Sequence, residues 1–208
     1  MTAELYGLRL HTPRVELRLP THDELVELRD IAHAGIHPPE EMPFGVAWTD
    51  EPYTEGFVVD FLEWQLTGWR ADEWNLNLGV WAEGRLAGIQ TLHGADFPRS
   101  RTVGTGSWLG LGFQGRGYGT EMRAAVLELA FVGLGAVAAT SGAMDVNVAS
   151  RRVSEKLGYQ IVGRGVVTPR GTPVPHLELR IERGDWRTPI PVEIESLAPC
   201  LHLFGGRV

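Results

Sequence analysis

Apolar and charged residues alternate from Val15 to Leu19 with the period of a half-buried strand. Thr21-His22-Asp23-Glu24 follows with a helix N-cap and a glutamate in the capping-box position, which predicts a first helix over 22–34. From Ile36 to Tyr53 the periodicity is lost in a run rich in proline and aromatic residues, which predicts a loop long enough to be functional. Phe57, Phe61, Trp64 and Gln65 then recur at helical spacing, so a second helix should reach about Arg70, with Trp64 as a core anchor.

The second half alternates strands and helices. Trp74, Leu76, Leu78 and Val80 alternate with Asn75, Asn77 and Gly79 in a strand, and Glu83-Gly84-Arg85 turns the chain. Strands are predicted over 86–94 and 102–109, separated by a turn at Asp96-Phe97-Pro98-Arg99. Met122, Ala125, Val126, Leu129 and Ala130 form the buried stripe of a helix that begins near Thr120 and ends at Gly133 to Gly135. A small-residue strand over 136–145 and a short helix over 147–157, stopped by Gly158, come next. Strands over 159–167 and 175–182 flank the turn Thr168-Pro169-Arg170-Gly171.

At 208 residues, 43% hydrophobic and 22% charged, the chain has the material for one sizeable core. Its net charge of -7 argues against a nucleic-acid partner, which selects a clustered basic surface. The single cysteine, Cys200, forms no internal disulfide and reads as an unreactive thiol, which fits a reducing compartment. Glu4 and the lack of a basic-then-apolar order argue against a secretion signal. The longest apolar stretch, Ala124 to Thr140, is interrupted by Glu128 and two glycines and reads as a helix and a strand rather than a membrane span. A cytoplasmic protein with no membrane partner is therefore expected.

The chemistry concentrates in the stretch Gly104 to Gly119, Gly-Thr-Gly-Ser-Trp-Leu-Gly-Leu-Gly-Phe-Gln-Gly-Arg-Gly-Tyr-Gly, which runs directly into the helical pattern after it. Closely spaced glycines let backbone N–H groups at a helix N-terminus approach an anion, so the stretch has the makings of a pyrophosphate cradle. No Gly-Lys-Ser/Thr follows, as a nucleoside triphosphate loop requires.

Gln114-Gly115-Arg116-Gly117-Tyr118-Gly119 resembles the Gln/Arg-x-x-Gly-x-Gly/Ala loop of the GNAT superfamily of N-acetyltransferases. Trp108-Leu109 is similar to a Tyr-Trp-Leu strand in the branch that acetylates ribosomal-protein N-termini. Asn147-Val148-Ala149-Ser150, followed by Val153-Ser154-Glu155-Lys156-Leu157-Gly158-Tyr159, is similar to the family's Asn-x-x-Ser…Glu-Lys-Leu-Gly-Phe segment. The resemblance covers about residues 8–183. It implies a GNAT fold of the α/β (α+β) class, a mixed, mostly antiparallel sheet of about seven strands splayed in the middle and flanked by about four helices. Residues 1–183 would form one acyltransferase domain, and 184–208 a tail with no assigned role.

The resemblance further implies acetyl-CoA or another acyl-CoA as donor and no metal. Trp108, Leu109, Leu111, Gln114, Gly115, Arg116, Gly117, Tyr118, Gly119 and Thr120 would hold the coenzyme, with the backbone of Leu109 and Leu111 pairing with the pantetheine. Asn147 and Ser150 lie three apart on one helix face and could bond its amides, while Asn147 also suits a helix cap. Acyl transfer to an amine needs the amine deprotonated, the thioester carbonyl polarised and the thiolate leaving group protonated. Ser154 stands where the family often carries a tyrosine acid, and its hydroxyl is the candidate acid, donating to sulfur directly or through water. Gly104 stands where relatives carry a glutamate base, which leaves His93, or Asp96, as candidates.

Ser107 replaces a family tyrosine and should line the cleft, and His37, Phe44 and Trp48 in the long loop are candidates for acceptor recognition, Phe44 and Trp48 reading alternatively as core anchors. The expected acceptor is a primary amine, of a protein N-terminus or a small molecule. The acyl group stays open between acetyl and a larger or charged one such as succinyl, and a homo-oligomer is compatible with the reading. Two alternatives also stay open: a non-catalytic acyl-CoA-binding regulator, favoured by the missing Glu and Tyr, and a drug acetyltransferase of the aminoglycoside type.

Overall fold

The computed structural model describes residues 3–50 and 58–205, without the side chains of Phe61 and Gln65. Phe57 and the end of the long loop thus lie outside the described residues. The predicted alternation at Trp74 to Val80 becomes β3 (Glu73–Ala82), paired along nearly its whole length with β4 (Arg85–Ala95). Around this hairpin lie β1 (Arg9–His11), β2 (Val15–Arg18), β5 (Thr102–Leu109), β6 (Ala138–Met144), β7 (Gln160–Val167), β8 (Val174–Glu182) and β9 (Glu193–Glu195). They form a nine-stranded sheet in the order β7-β8-β6-β5-β4-β3-β2-β1-β9. Every described pairing is antiparallel except that of β5 with β6.

Helices α1 (His22–His33) and α2 (Val59–Thr67) precede β3, a single turn α3 (Phe97–Ser100) joins β4 to β5, and α4 (Tyr118–Glu128) connects β5 to β6. Helix α5 (Val148–Lys156) and a single turn α6 (Leu197–Cys200) complete the set. The capping box at α1 is formed as expected, with the Thr21 N–H donating to Glu24 at 2.8 Å. Arg18 grips the same carboxylate through two nitrogens, at 2.6 and 2.9 Å, and together with Thr21 holds its pKa at about 2.

Two cores fill the two faces of the sheet. One gathers Leu17, Leu76, Leu78, Leu92, Val126 and Leu129 under α4. The other gathers Leu25, Leu28, Val59, Leu62 and Ile89 under α1 and α2. Trp64, expected as a core anchor, is instead 65% exposed. The buried stripe of α2 runs through Val58, Val59 and Leu62, and a residue two beyond Leu62 faces away from it.

The sheet exceeds the expected seven strands because β1 and β9 pair with each other at its edge, with Leu10 opposite Ile194. Described residues beyond Gly184 are thereby part of the same sheet and core, from Trp186 to Phe204. Trp69 donates its indole N–H to the Leu203 carbonyl at 2.8 Å, and Phe204, 0% exposed, stands edge-on to Trp69 and Trp74. No helix among the described residues is long and apolar enough to cross a membrane. Phe204→Ala should therefore cost roughly 3–5 kcal/mol in urea unfolding, the range for truncating a buried phenylalanine. A loss under about 1 kcal/mol would mean that the segment does not hold the core together.

Candidate functional site

β5 and β6 pair over only four residues, from Thr102 opposite Ala138 to Thr105 opposite Ser141. Beyond that point β5 continues with β4 as far as Leu109, and β6 continues with β8 as far as Met144. The two strands part toward their C-terminal ends and leave a wedge in the middle of the sheet.

The glycine loop stands at the open end of this wedge. Gly115 and Gly117 take φ values of +74° and +90°, left-handed backbone that a side chain disfavours. A Cβ at Gly112 or Gly115 would meet no atom within 4 Å. Thr120 and Glu121 donate to the Gly117 carbonyl, whereas the N–H groups of Tyr118 and Gly119, in the first turn of α4, have no intrahelical acceptor. The loop thus offers open space beside unfilled donors at a helix N-terminus, where the dipole favours an anion. Arg14, on the turn between β1 and β2, braces the loop: it donates to the Arg116 carbonyl at 3.1 Å, lies over the Tyr118 ring at 4.9 Å, and bonds Glu121 at 2.6 Å. Tyr118 is buried with its hydroxyl bonded to Glu83, which raises its pKa.

Other predicted coenzyme contacts already have partners within the chain. Gln114 donates its amide to the carbonyls of Ile36 and Leu109, at 2.8 and 2.7 Å, and the Leu111 N–H donates to Gly35. Asn147 caps α5 by accepting from the Ser150 N–H at 3.0 Å. Trp108 faces away from α4 and packs against Trp48 with ring centroids 5.9 Å apart.

On the face toward α4 and α5, Arg123 lies at the base of the wedge, 4% exposed. Its guanidinium donates to Ser107 on β5 and Ser154 on α5, each at 3.1 Å, and to Ser141 on β6 at 3.4 Å. Ser154 is itself 0% exposed, whereas Ser107 and Ser141 are half-buried and border the opening. Burial lowers the Arg123 pKa, but a guanidinium remains charged in proteins. Burial likewise raises that of the neighbouring Tyr159 phenol, which stays neutral.

On the opposite face His93 is paired in register with Gly104. A methyl at Gly104 would overlap the imidazole ring, so the missing side chain is what gives His93 its place. His93 is exposed, yet desolvation by the groups packed around its ring lowers its pKa below the ordinary 6.5, so the neutral form prevails at pH 7. Asp96, the other candidate base, lies beyond the end of β4 and is exposed.

This face is roofed by the long loop. His37 stands edge-on to Phe44, Phe44 packs on Trp48, and Trp48 reaches Trp108. His37 donates from Nδ1 to the Pro38 carbonyl, which can only accept, and its Nε2 shares a hydrogen bond with the Thr49 hydroxyl; both contacts are 2.8 Å. Arg170, in the turn between β7 and β8, ties the loop across the wedge by gripping Asp50 at 2.6 and 2.7 Å and the Pro39 carbonyl at 3.0 Å. Arg14, Arg123 and the Asp50–Arg170 pair escaped the sequence reading. The first and last join residues more than a hundred apart, and Arg123 carried a signal only as a charge inside an otherwise apolar helical run. Among the described residues no group of three His, Cys, Asp or Glu side chains gathers to hold a metal.

The acetyltransferase (GNAT) domain family matches residues 14–160. Among solved structures, RimJ of Mycobacterium smegmatis in complex with CoA-disulfide superposes with a TM-score of 0.72 at 18% identity, covering 96% of this chain and 95% of that one. RimL, a ribosomal L7/L12 alpha-N-protein acetyltransferase in complex with coenzyme A, superposes at 0.66 and 14% identity over 82% of this chain and 95% of that one. A GNAT-family acetyltransferase of Bacillus anthracis superposes at 0.65 and 17% identity over 85% and 99%. The parted strands, the glycine loop at the start of α4 and a family match over most of the sequence agree: the chain belongs to the GNAT acetyltransferase family.

Proposed function

We propose that this protein transfers an acyl group, acetyl in the first instance, from acyl-CoA to the primary amine of a protein N-terminus by direct transfer in a ternary complex. The observation that carries the reading is the loop Gly115–Gly119, whose left-handed glycines and unfilled N–H donors stand at the open end of the wedge. These groups suit a diphosphate, and the edge of β5 left free by β6 suits the amides of a pantetheine arm. Coenzyme A, when bound, supplies the activated acyl group and a thiol leaving group. The chain's own residues then have to orient the amine, accept its proton and stabilise the departing sulfur.

His93 is the proposed base. It lies on the acceptor face, is neutral at pH 7, and occupies the space that a side chain at Gly104 would take. Ser154 lies on the other face, fully buried, with its oxygen accepting from Arg123, and positions that side chain rather than touching the sulfur. His37, Phe44 and Trp48, held in place by Arg170, frame the route of the acceptor. A peptide acceptor is favoured over a small amine because this frame is a long loop tied across an open cleft, and because the RimL structure is of a protein acetyltransferase.

Release of free coenzyme A from acetyl-CoA in the presence of N-terminal peptides tests the activity; tight binding without turnover against any amine would overturn it. Gly117→Val should abolish coenzyme binding with little change in the far-ultraviolet spectrum, because it forces a β-branched residue to φ +90° beside the Arg14 guanidinium. Unchanged affinity would remove the loop from the site. For His93, protonation below its lowered pKa removes the base, so kcat/KM should fall with a midpoint below 6.5 as pH drops. His93→Gln should cut kcat roughly 100-fold and abolish that limb; a variant that keeps both would exonerate the imidazole. Arg170→Ala should leave the melting temperature nearly unchanged, since exposed pairs contribute only about 0–1 kcal/mol. It should raise the acceptor KM severalfold while sparing that of acetyl-CoA, and an equal effect on both would refute the loop's assignment to the acceptor.

A further inference from the structure

Arg123 is a buried cation to which no carboxylate is bound among the described residues. Its hydrogen-bond partners are three serine hydroxyls, and its Nε is buried without a partner. A second orphan lies close by in register: Gln90, paired with Ser107, buries its amide oxygen without a donor. The chain elsewhere neutralises a buried charge on this same helix, because Glu121 is bonded by both Arg14 and Thr12. Leaving a guanidinium unneutralised two residues further on is costly. The position is also specific: Nη2 reaches the strand on one side of the wedge, and Nη1 reaches the strand and helix on the other.

We propose that Arg123 is a catalytic residue that receives the leaving thiolate; this rests on the acyl-CoA reading of the wedge. As the amine nitrogen bonds to the acyl carbon, the carbon–sulfur bond breaks and its electron pair stays on sulfur. The amine proton passes to His93 on the opposite face. The sulfur is left negative, and a hydrogen bond from Ser154 does not discharge it, because a serine hydroxyl is a far weaker acid than a thiol of pKa about 8.5. The guanidinium beneath matches that charge, in a setting of low dielectric where such a pairing is strong. The helix position that family resemblance assigns to a tyrosine acid holds Ser154, and the chain supplies a cation there in place of a proton donor.

The test uses the full-length protein and its product, free coenzyme A. With wild type, the ultraviolet absorbance of the thiolate should show the bound thiol titrating at least one unit below about 8.5. Arg123→Met should return it to the free value, and Arg123→Lys should keep part of the shift. Arg123→Met should lower kcat for acetyl transfer by roughly 100-fold or more, with the dissociation constant for acetyl-CoA changed less than about threefold. Thermal melts check its folding, because methionine removes a buried charge yet leaves the buried Ser154 hydroxyl without its partner; Arg123→Lys carries the test if the methionine variant fails to fold.

A bound thiol that titrates like the free one, or a shift that survives in Arg123→Met, would overturn the proposal. So would a wild-type preference for succinyl-CoA over acetyl-CoA that vanishes in Arg123→Met without any thiol shift, since the guanidinium would then be reading a carboxylate on the acyl group. If wild type binds no coenzyme A at all, the acyl-CoA reading itself falls and takes this proposal with it, an outcome separated from the others by measuring wild-type affinity first.

Discussion

The parallel pairing of β5 with β6, and its end at Thr105 and Ser141, is the constraint on which the site depends. Parallel neighbours cannot be joined by a tight turn, so the chain must cross over the sheet, and here the crossover is the glycine loop followed by α4. A crossover of this kind begins at the C-terminal end of its first strand. The N-terminus of α4 is thereby set beside the place where the two strands part. The proposed anion site and the wedge are two consequences of one connection, which agrees with the tendency of ligands to bind at the carboxyl ends of strands where the topology switches.

Because residues alternate across β4 and β5, the wedge separates two sets of chemical groups. His93, Gly104 and Trp108 fall on the side of the long loop, while Thr105, Ser107 and Leu109 fall on the side of α4 and α5. The proposed base on one face and a cation with its hydroxyls on the other suit a reaction in which the amine enters from one side and sulfur departs toward the other. Neither group needs to move across the sheet. The tie between Asp50 and Arg170 belongs to the same geometry, because the turn between β7 and β8 projects past the end of β6 and can reach over the wedge mouth.

Much of this was legible in the sequence where a periodic pattern and a local signal coincided. The strand over 102–109 and the first helix were placed to within a residue because alternation, the capping box and the glycine stops are local. β1 was not legible, since three residues with one buried leucine carry no period, and β9 was not because its one strand partner among the described residues is β1. Trp64 misled because bulk suggested burial while the stripe of α2 was set by smaller residues. In the site, Ser107, Ser154 and His93 each drew notice as departures from a family pattern. What joins the two serines is the long side chain of Arg123, and what seats His93 is the absence of a side chain at Gly104. Neither relation has a sequence spacing from which it could be read.

The contrast between Glu121 and Arg123 is the ground for the role proposed for Arg123. Both are buried on α4, two residues apart, and a helix of this length could bury alanine or leucine at either position without loss of propensity. At Glu121 the charge is compensated from the turn between β1 and β2, and the compensation braces the glycine loop, so the buried pair has a structural use. At Arg123 the surrounding groups are hydroxyls, which solvate a cation without cancelling it. A sequence under no other demand than stability would replace such a residue, since an apolar side chain of similar volume is neutral or better. Local rules are broken where function requires it, and here the break lies where the two strands part, beneath the opening through which a negative charge would arrive.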